Sequence, residues 1–534
     1  MGKPNDVIPV AFRGGLNLIS APVEMSPGEA IQLLNYEVNQ VGRYQSILGF
    51  ERFDGKPAPS AVQPQALDGY PFENDEVEFD NVELERANRR ASILAVPGEG
   101  PVRGVFFFAG VVFAFRDDAT GASKLWKSSP AGWLSVATPA RVGGGRVRTT
   151  IANFKGSAGT KEVLFVDGVN KACRFDGTTA TEIAGPITPD KPTHVTVLPS
   201  QVLLLGYRGG SLVFSGVGEP TKFSPIDGGG EFGLADELVD VQVEANNSCA
   251  VYCRNRTYVL YGKSKLDFNL TDLSLQTGAI ADSVQSLGDS IYLDDRGLTR
   301  LQRVQQFGNF AMATFSQKVQ PILDNYKTRV TASMVVKDKN QYRLCFDDTT
   351  GIIVTFFGVE VSGITTFNYG KVILCTTSAE DATGREVIFF GSDDGFVYQA
   401  ERGFSFDGEP IVTVCRPAFY SPNPEHNFRY YWVLLETTTV GRKFLTVVPE
   451  FDYADDGSPA DEAQTSEISG GGGFYDQGTW DETAWSAAIN HRSKFYIDGV
   501  AQNMSLLITS ESSTAAPHVL NSMRIRVSPR GQLK

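Results

Sequence analysis

The sequence predicts an all-β protein whose central part is a β-propeller-like domain of about seven blades. Three observations lead to this fold. Glycine is abundant, with 54 residues among 534, as expected where many short strands need many turns. Aromatic residues, which favour strands, make up 11% of the chain. A unit of strand, acidic-glycine turn and second strand recurs about every 40 residues, which is the spacing of a four-stranded blade.

The recurring unit is clearest in three segments in which a strand-like run ends in an acidic residue and glycine. The segments are 163–168 (VLFVDG), 290–297 (SIYLDDRG) and 388–395 (IFFGSDDG). A second strand-like run follows each of them. Seven units are predicted to begin near Val102, Arg146, His194, Leu238, Ala281, Arg329 and Lys371. Two stacked β-sandwiches are the alternative, because hairpins with Asp-Gly turns are common in any all-β fold.

The pattern divides the chain into three parts. Residues 1–100 form an N-terminal extension with an acidic insert, which we expect to pack on a neighbouring domain or subunit. Residues 101–407 form the propeller-like domain. Residues 408–534 form a β-sandwich-like domain with longer strands and an acidic, Gly-rich loop.

Helical signals are scarce. Residues 26–35 (SPGEAIQLLN) predict a short helix with Ser26 as N-cap and Pro27 at its first position. Acids early and arginines late in 73–96 predict a surface helix or an acidic insert.

The charge balance argues against tight binding of DNA or RNA. The net charge is −14 at pH 7, whereas a protein that wraps nucleic acid needs clustered Lys and Arg to displace counterions. A negative surface would repel DNA, which is useful where DNA must slide past without sticking. The simpler interpretation is that the acidic balance only provides solubility.

Motifs that carry chemistry are missing from the sequence. The four histidines lie far apart, and neither a metalloprotease motif, a nucleophile elbow nor a phosphate-binding loop is present. We therefore predict no catalytic residue, no cofactor and no metal. The six cysteines fall in strand-like runs and are interpreted as free buried thiols of a protein made in a reducing cytosol, with a zinc site at Cys249 and Cys253 as the alternative. No apolar run approaches the ~18 residues of a membrane helix.

Two further features leave alternatives open. Acidic pairs recur at Asp117-Asp118, Asp294-Asp295, Asp347-Asp348, Asp393-Asp394 and Asp455-Asp456. Propeller glycosidases use carboxylates that converge on the channel, but aspartate also favours hairpin turns, and we predict the turn role. The loop with Trp480 and Trp485 suits a sugar platform, a partner contact or a loop anchor equally well.

The N-terminal 55 residues carry a family resemblance. Residues 14–55 contain Gly14-Gly15, the alternation Leu16-Asn17-Leu18, a Pro27-Gly28 turn, and the segments 42–44 (GRY) and 49–55 (GFERFDG). This order resembles the N-terminus of tail nozzle proteins (tail tubular protein B type) of short-tailed bacteriophages. The late segment 470–486 (GGGGFYDQGTWDETAWS) and the propeller-like middle are similar to that family as well.

The resemblance implies a structural virion protein of the tail, made in the host cytoplasm, and no enzymatic activity. Members of the family form a homo-hexameric ring around the DNA exit channel, below the tail adaptor and near the tail fibres or tailspikes. Genomic DNA passes through the ring without tight binding, and the channel stays closed until the host is engaged. Six copies of this chain carry six times −14, that is −84, so an acidic lumen would let DNA slide.

One acidic stretch is the predicted lining of that channel. Its residues are Asp452, Asp455, Asp456, Asp461 and Glu462, and the alternative is that their loop faces solvent outside the tube. A different class of function is a secreted or surface propeller that binds or cleaves polysaccharide. A basic and then apolar signal pattern would favour that function, and the start of the sequence does not show one.

Overall fold

The computed structural model describes residues 6–53, 90–91, 93–129, 132–154, 161–244, 248–304, 309–440, 442–454, 463–469 and 489–532. Within these ranges the chain forms forty strands and a short helix, α1 (Gln320–Tyr326). The acidic insert, the Trp480–Trp485 loop and most of the Gly-rich loop lie outside the described residues. The structure is all-β, as the sequence predicts.

The N-terminal segment contributes five short strands. They are β1 (Asp6–Ala11), β2 (Ala30–Leu34), β3 (Tyr36–Val38), β4 (Tyr44–Ser46) and β5 (Phe50–Arg52). None of them forms a sheet of its own, because each pairs with strands that come much later in the chain or with a neighbour that does. The segment is therefore part of both larger domains.

The predicted helix over residues 26–35 is wrong. Residues 30–34 form β2, which pairs with a C-terminal strand through Leu33 opposite Cys415 and Leu34 opposite Val414. The local capping contact does exist, since the Ser26 N–H donates to the Glu29 carboxylate at 3.1 Å. Long-range strand pairing outweighs this local preference.

The central region consists of seven four-stranded antiparallel blades. Blade 1 contains β6 (Glu99–Phe108), β7 (Val111–Asp117), β8 (Ser123–Ser129) and β9 (Gly132–Val136); blade 2 contains β10 (Arg148–Ala152), β11 (Glu162–Val166), β12 (Ala172–Phe175) and β13 (Ala180–Ile183); blade 3 contains β14 (His194–Val197), β15 (Leu203–Tyr207), β16 (Ser211–Phe214) and β17 (Gly230–Gly233). Blade 4 contains β18 (Leu238–Val243), β19 (Cys249–Cys253), β20 (Thr257–Tyr261) and β21 (Asn269–Ser274); blade 5 contains β22 (Gln285–Leu287), β23 (Asp289–Asp294), β24 (Gly297–Val304) and β25 (Asn309–Thr314). Blade 6 contains β26 (Val330–Val336), β27 (Gln341–Phe346), β28 (Thr350–Phe357) and β29 (Glu360–Asn368); blade 7 contains β30 (Ile373–Glu380), β31 (Glu386–Ser392) and β32 (Val397–Ala400), completed by β5.

The blades close into a ring. The inner strand of blade 7 packs beside that of blade 1, where Cys375 and Val102 share one apolar cluster. The outer strand of blade 7 is β5, which pairs with β32 through Arg52 opposite Tyr398 and Phe50 opposite Ala400. The propeller prediction is thus confirmed, with each predicted unit beginning within four residues of the observed inner strand. The alternative of two stacked sandwiches is wrong for this region.

The C-terminal region is a β-sandwich, as predicted. Its strands are β33 (Ser405–Phe406), β34 (Glu409–Pro417), β35 (His426–Thr439), β36 (Arg442–Phe451), β37 (Gln464–Ser469), β38 (Ile489–Ala501), β39 (Met504–Ser512) and β40 (Val519–Gln532). One sheet has the order β3-β4-β40-β35-β38 with β1 on β40, and the other joins β2, β34, β39, β36 and β37. Val433 and Ile525 of the first sheet belong to the same apolar cluster as Leu445 and Leu506 of the second.

Candidate functional site

The predicted lumen loop is described at one residue only. Asp452 lies in a left-handed turn at the end of β36, with a φ of +47°, where its Oδ1 accepts the Gln502 N–H at 2.9 Å and its own N–H donates to the Asn503 carbonyl at 3.3 Å. Asp452 therefore fixes the connection between β38 and β39. Asp455, Asp456, Asp461 and Glu462 lie outside the described residues. The channel-lining assignment stays a prediction.

The residues that carry the family resemblance hold the N-terminal segment in shape. Tyr44 is fully buried; its hydroxyl donates to the Gly28 carbonyl at 2.6 Å and accepts the Gly15 N–H at 3.1 Å. One phenol thereby connects the double-glycine turn with the Pro-Gly turn. Phe50 stacks on Phe406 and contacts the edge of three other rings, with centroids 5.2–5.3 Å apart, which anchors β5 on blade 7.

Glu29 ties the same segment to the propeller. Its carboxylate accepts from the Asn17 amide at 2.9 Å and pairs with Lys318 Nζ at 2.5 Å, just before α1. Burial opposes the charged form, but the hydrogen bonds from Lys318 and Asn17 hold the pKa of Glu29 below its ordinary value. Glu29 is therefore a structural carboxylate of the junction.

A second set of buried charges lies where the N-terminal segment meets blades 6 and 7; we call it the junction cluster (Glu37, Lys339, Arg343 and Glu401). Arg343 is fully buried and lies 3.3 Å from Glu37 and 2.6 Å from Glu401. Lys339 Nζ pairs with the same two carboxylates, at 2.7 Å from Glu37 and 2.5 Å from Glu401. Burial opposes ionisation of Glu401, but Arg343 and Lys339 hold its pKa well below the ordinary value. Two cations and two anions thus compensate one another inside the junction.

The axis of the propeller carries the other concentration of polar groups; we call it the axial cluster (Arg146, Arg148, His194, Asp240 and Asp282). Arg148 at the start of blade 2 lies 2.6 Å from Asp282, which precedes blade 5, and Arg146 lies 2.8 Å from the same carboxylate. Blades 2 and 5 stand on opposite sides of a seven-membered ring. These ion pairs therefore cross the axis and bridge the channel at the end where the inner strands begin.

The pKa values of two further groups of the axial cluster, His194 and Asp240, are shifted from their ordinary values. Burial lowers the pKa of His194 well below its ordinary value, and the neighbouring Arg148 and Arg146 lower it further. Its Nε2 has no hydrogen-bond partner among the described residues. Burial raises the pKa of Asp240 to about 6, although Arg148 opposes the shift. No motif marks this cluster, because its members lie on four different blades and meet only when the ring closes.

Asp240 gives the axial cluster a testable pH dependence. A carboxyl with a raised pKa binds more protons when folded than when unfolded, so its contribution to stability falls as pH rises from about 4 to about 6. We expect Asp240→Asn to raise the free energy of unfolding by about 1–2 kcal/mol at pH 8 and to have no stabilising effect at pH 4. The amide keeps an oxygen to accept the Val241 N–H, which Asp240 Oδ1 accepts at 2.7 Å.

Urea unfolding at both pH values measures this effect. Asp272→Asn, on the exposed outer strand β21, is the matched control and should change stability by less than about 0.5 kcal/mol at either pH. A loss of stability at pH 8, or an equal gain at both pH values, would contradict the assignment.

The acidic pairs of the described residues occupy hairpin turns, as predicted. Asp118 Oδ1 accepts the N–H groups of Thr120 and Ala122, and Asp294 Oδ1 accepts those of Arg296 and Gly297. Asp348 and Asp394 accept from Thr350 and Phe396 in the same way. Each carboxylate replaces a backbone partner in the turn between the second and third strand of its blade. Asp455-Asp456 lies outside the described residues.

A metal site and a membrane span are not seen in the described parts of the chain. There, no three or more His, Cys, Asp or Glu residues are arranged to hold a metal ion, and all six cysteines are free and buried. Cys249 and Cys253 both lie in β19. Among the same residues, no helix has the length and apolar character needed to cross a bilayer.

Comparisons with known proteins return propellers of low similarity. No family model and no curated protein matches the chain. Among solved structures, a streptogramin B lyase aligns over 57% of this chain and 94% of its own, with 12% identity and a TM-score of 0.41. Virginiamycin B lyase from Staphylococcus aureus (57% and 97%, 11% identity, TM-score 0.40) and the WD40 β-propeller domain of Doa1 (57% and 94%, 12% identity, TM-score 0.36) are similar to the same extent. Matches this distant carry no argument about function, and the propeller assignment rests on the seven observed blades.

Proposed function

We propose that this protein is a structural virion protein, the tail nozzle of a short-tailed bacteriophage. Six copies form a ring around the DNA exit channel, bound by the tail adaptor above and by fibres or tailspikes at the side. The ring keeps the channel closed until the host is engaged. In this proposal the chain is not an enzyme.

The observation that carries the proposal is the role of the N-terminal segment. The residues that resemble nozzle proteins are those that join the propeller to the sandwich: Tyr44 connects the two glycine turns, β2 pairs with strands of both domains, and β5 completes blade 7. A motif that serves rigidity rather than chemistry suits a protein that bears mechanical load. Ring closure by a head-to-tail interface needs no symmetry within the subunit.

The axial cluster supports a channel that lies between subunits. Since Arg146 and Arg148 reach Asp282 across the propeller axis, a duplex cannot thread a single propeller. DNA must then pass along the axis of the ring. The acidic balance of the chain keeps DNA from adhering to the wall, because acids repel phosphates over a Debye length of about 8–10 Å.

The decisive test is the position and behaviour of the protein in the parent particle. Electron microscopy of tails that carry a tagged chain should place six copies in a ring on the DNA exit axis. Charge reversal of four residues of the predicted lining (Asp455, Asp456, Asp461 and Glu462, each to Lys) should slow DNA ejection while particles still assemble, because lysines bind phosphates. Asp452 is left unchanged because its carboxylate accepts the Gln502 N–H. The control reverses four exposed acids of the propeller region (Glu219, Asp227, Asp272 and Glu380) and should leave ejection unchanged.

Three results would count against these assignments. Particles that lack the chain, or contain it outside the tail, would refute the nozzle assignment. Ejection at the normal rate in the first variant would remove only the loop from the lumen. Specific binding on a glycan array, with no particle association, would favour the alternative of a polysaccharide-binding propeller.

A further inference from the structure

The outer side of the first sandwich sheet carries an unusual set of side chains. In β35, β38 and β40, alternate residues such as Val433, Phe495 and Ile525 are buried in the core. The residues between them point outward. We call this outward surface the basic face; it comprises Arg429, Tyr431, Trp432, Leu434, Glu436, Arg492, Lys494, Tyr496, Asp498, Arg524 and Arg526.

Strand register arranges these residues in rows. Arg526, Trp432 and Tyr496 lie opposite one another on β40, β35 and β38, and Arg524, Leu434 and Lys494 form the next row. Cations on β40 and β38 thus flank a central apolar and aromatic column. Residues two apart on a strand are about 6.8 Å apart, and β40 and β38 are separated by two strand spacings, about 9.6 Å.

The basic face has the opposite charge to the rest of the chain. It holds five cations and two carboxylates, a net charge of +3, so the rest of the chain carries −17 to reach the total of −14. Glu436 is shared between Arg492 and Arg524 at 3.0 Å from each, and Asp498 pairs with Arg429 at 2.8 Å. Among the described residues, no carboxylate forms an ion pair with Lys494 or Arg526. Two cations are therefore available to an external anion.

The aromatic rings hold these cations in place. Lys494 Nζ lies 5.0 Å from the Trp432 ring centre and 4.8 Å from that of Tyr496. The guanidiniums of Arg429 and Arg526 lie 5.6 and 5.7 Å from the Tyr431 ring. Cation–π contacts of this kind restrict long side chains and lower the entropic cost of binding an anion. Because the rings already contact cations, the arrangement favours phosphate contacts over the stacking of bases.

We propose that the basic face binds the phosphate backbone of duplex DNA without reading its sequence. Duplex DNA carries one negative charge per about 1.7 Å of helix axis, so free cations on the basic face meet phosphates wherever the face contacts the duplex. The net −17 elsewhere opposes tight binding, and we expect the weak, salt-sensitive affinity that is typical of non-specific contacts and that allows DNA to slide. The site does not depend on the nozzle assignment. In a nozzle it would be a contact that guides DNA rather than one that grips it.

Fluorescence anisotropy of the full chain with a labelled 20-base-pair duplex tests the proposal. The two free cations, Lys494 and Arg526, predict a slope of about −1.8 for log affinity against log salt, which is about a 12-fold loss of affinity between 50 and 200 mM NaCl. Two duplexes of unrelated sequence should bind equally. Absence of binding at 50 mM NaCl, or a strong preference for one sequence, would overturn the proposal.

Two sets of variants test whether DNA binding depends on the basic face or only on the net charge of the chain. Lys494→Glu with Arg526→Glu should weaken binding at least tenfold at 50 mM NaCl, and the milder pair Lys494→Gln with Arg526→Gln should lower the slope by about 1.8. The control is Arg208→Glu with Arg254→Glu on the propeller, where the side chains are 77% and 42% exposed. It changes the net charge by the same amount and should keep binding within about threefold. An equal loss in the control, or binding of heparin with none of duplex DNA, would refute the site.

Discussion

Replacement of Arg343 by methionine is expected to lower the free energy of unfolding by about 3–5 kcal/mol. Arg343 is fully buried and faces Glu37 and Glu401, so its removal leaves two carboxylates with only Lys339 for compensation. The cost is the desolvation of unpaired charge rather than the loss of one favourable contact. Urea unfolding at pH 7 measures the effect.

Arg254→Met is the matched control. Arg254 makes a two-pronged ion pair with Asp295 at 2.8 and 2.9 Å, but both side chains are solvent-exposed, so the expected loss is about 0–1 kcal/mol. Losses of equal size in the two variants would contradict the structural role of the junction cluster.

The junction cluster also predicts sensitivity to acid. The pKa of Glu401 is lowered in the folded state, so its contribution to stability is present above the unfolded pKa, about 4.3, and disappears as pH falls toward the folded value. Arg343→Met removes the main cause of that shift. We therefore expect the difference in stability between wild type and variant to shrink as the pH is lowered from 7 to 3.

Replacement of Gly28 by alanine is the second substitution with a large expected effect, a loss of about 3 kcal/mol or more. Gly28 has a φ of +97°, and an added Cβ would lie 1.9 Å from the Ala11 carbonyl oxygen. The turn can accept a methyl group only if it moves away from β1, which would also disturb the Tyr44 hydrogen bond to the Gly28 carbonyl. Thermal unfolding, together with the yield of soluble protein, measures this loss.

Gly110→Ala isolates the backbone part of that effect. Gly110 has a φ of +80° in the β6–β7 hairpin, and an added Cβ would meet no atom of the described residues within 4 Å. The expected loss is only about 1–2 kcal/mol, the cost of a left-handed alanine. If Gly28→Ala were no worse than Gly110→Ala, the close approach of the Pro-Gly turn to β1 would not matter for stability.

Much of the propeller could be predicted from local sequence. Each blade is a meander of strands that follow one another in the chain. Its strands, its Asp-Gly turns and its length can therefore be predicted from about 40 consecutive residues. The repeat predicts His194 and Leu238 as starts of units, and they are the first residues of β14 and β18. The turn role of the acidic pairs also followed locally, because an Asx turn involves only the next few residues.

Pairings between distant segments could not be predicted in the same way. The 26–35 segment has the local signals of a helix, yet it forms β2 because β34, nearly 400 residues later, provides a partner strand. Blade 7 is likewise completed by β5 from the N-terminus, although the local sequence of residues 50–52 does not predict its pairing with β32. A local capping preference is weak, and the burial and hydrogen bonding of a strand between two neighbours outweigh it.

The net charge follows from the sequence, whereas the position of each charged group depends on the fold. The sequence by itself determined the net charge of −14, the all-β class and the propeller repeat. Only the tertiary structure decided that Arg148 meets Asp282 across the propeller axis, that Arg343 is buried between Glu37 and Glu401, and that Arg526 and Lys494 share one face of a sheet. Composition averages charge over the whole chain, whereas a Coulomb interaction depends on separation and dielectric environment, and both are set by the fold.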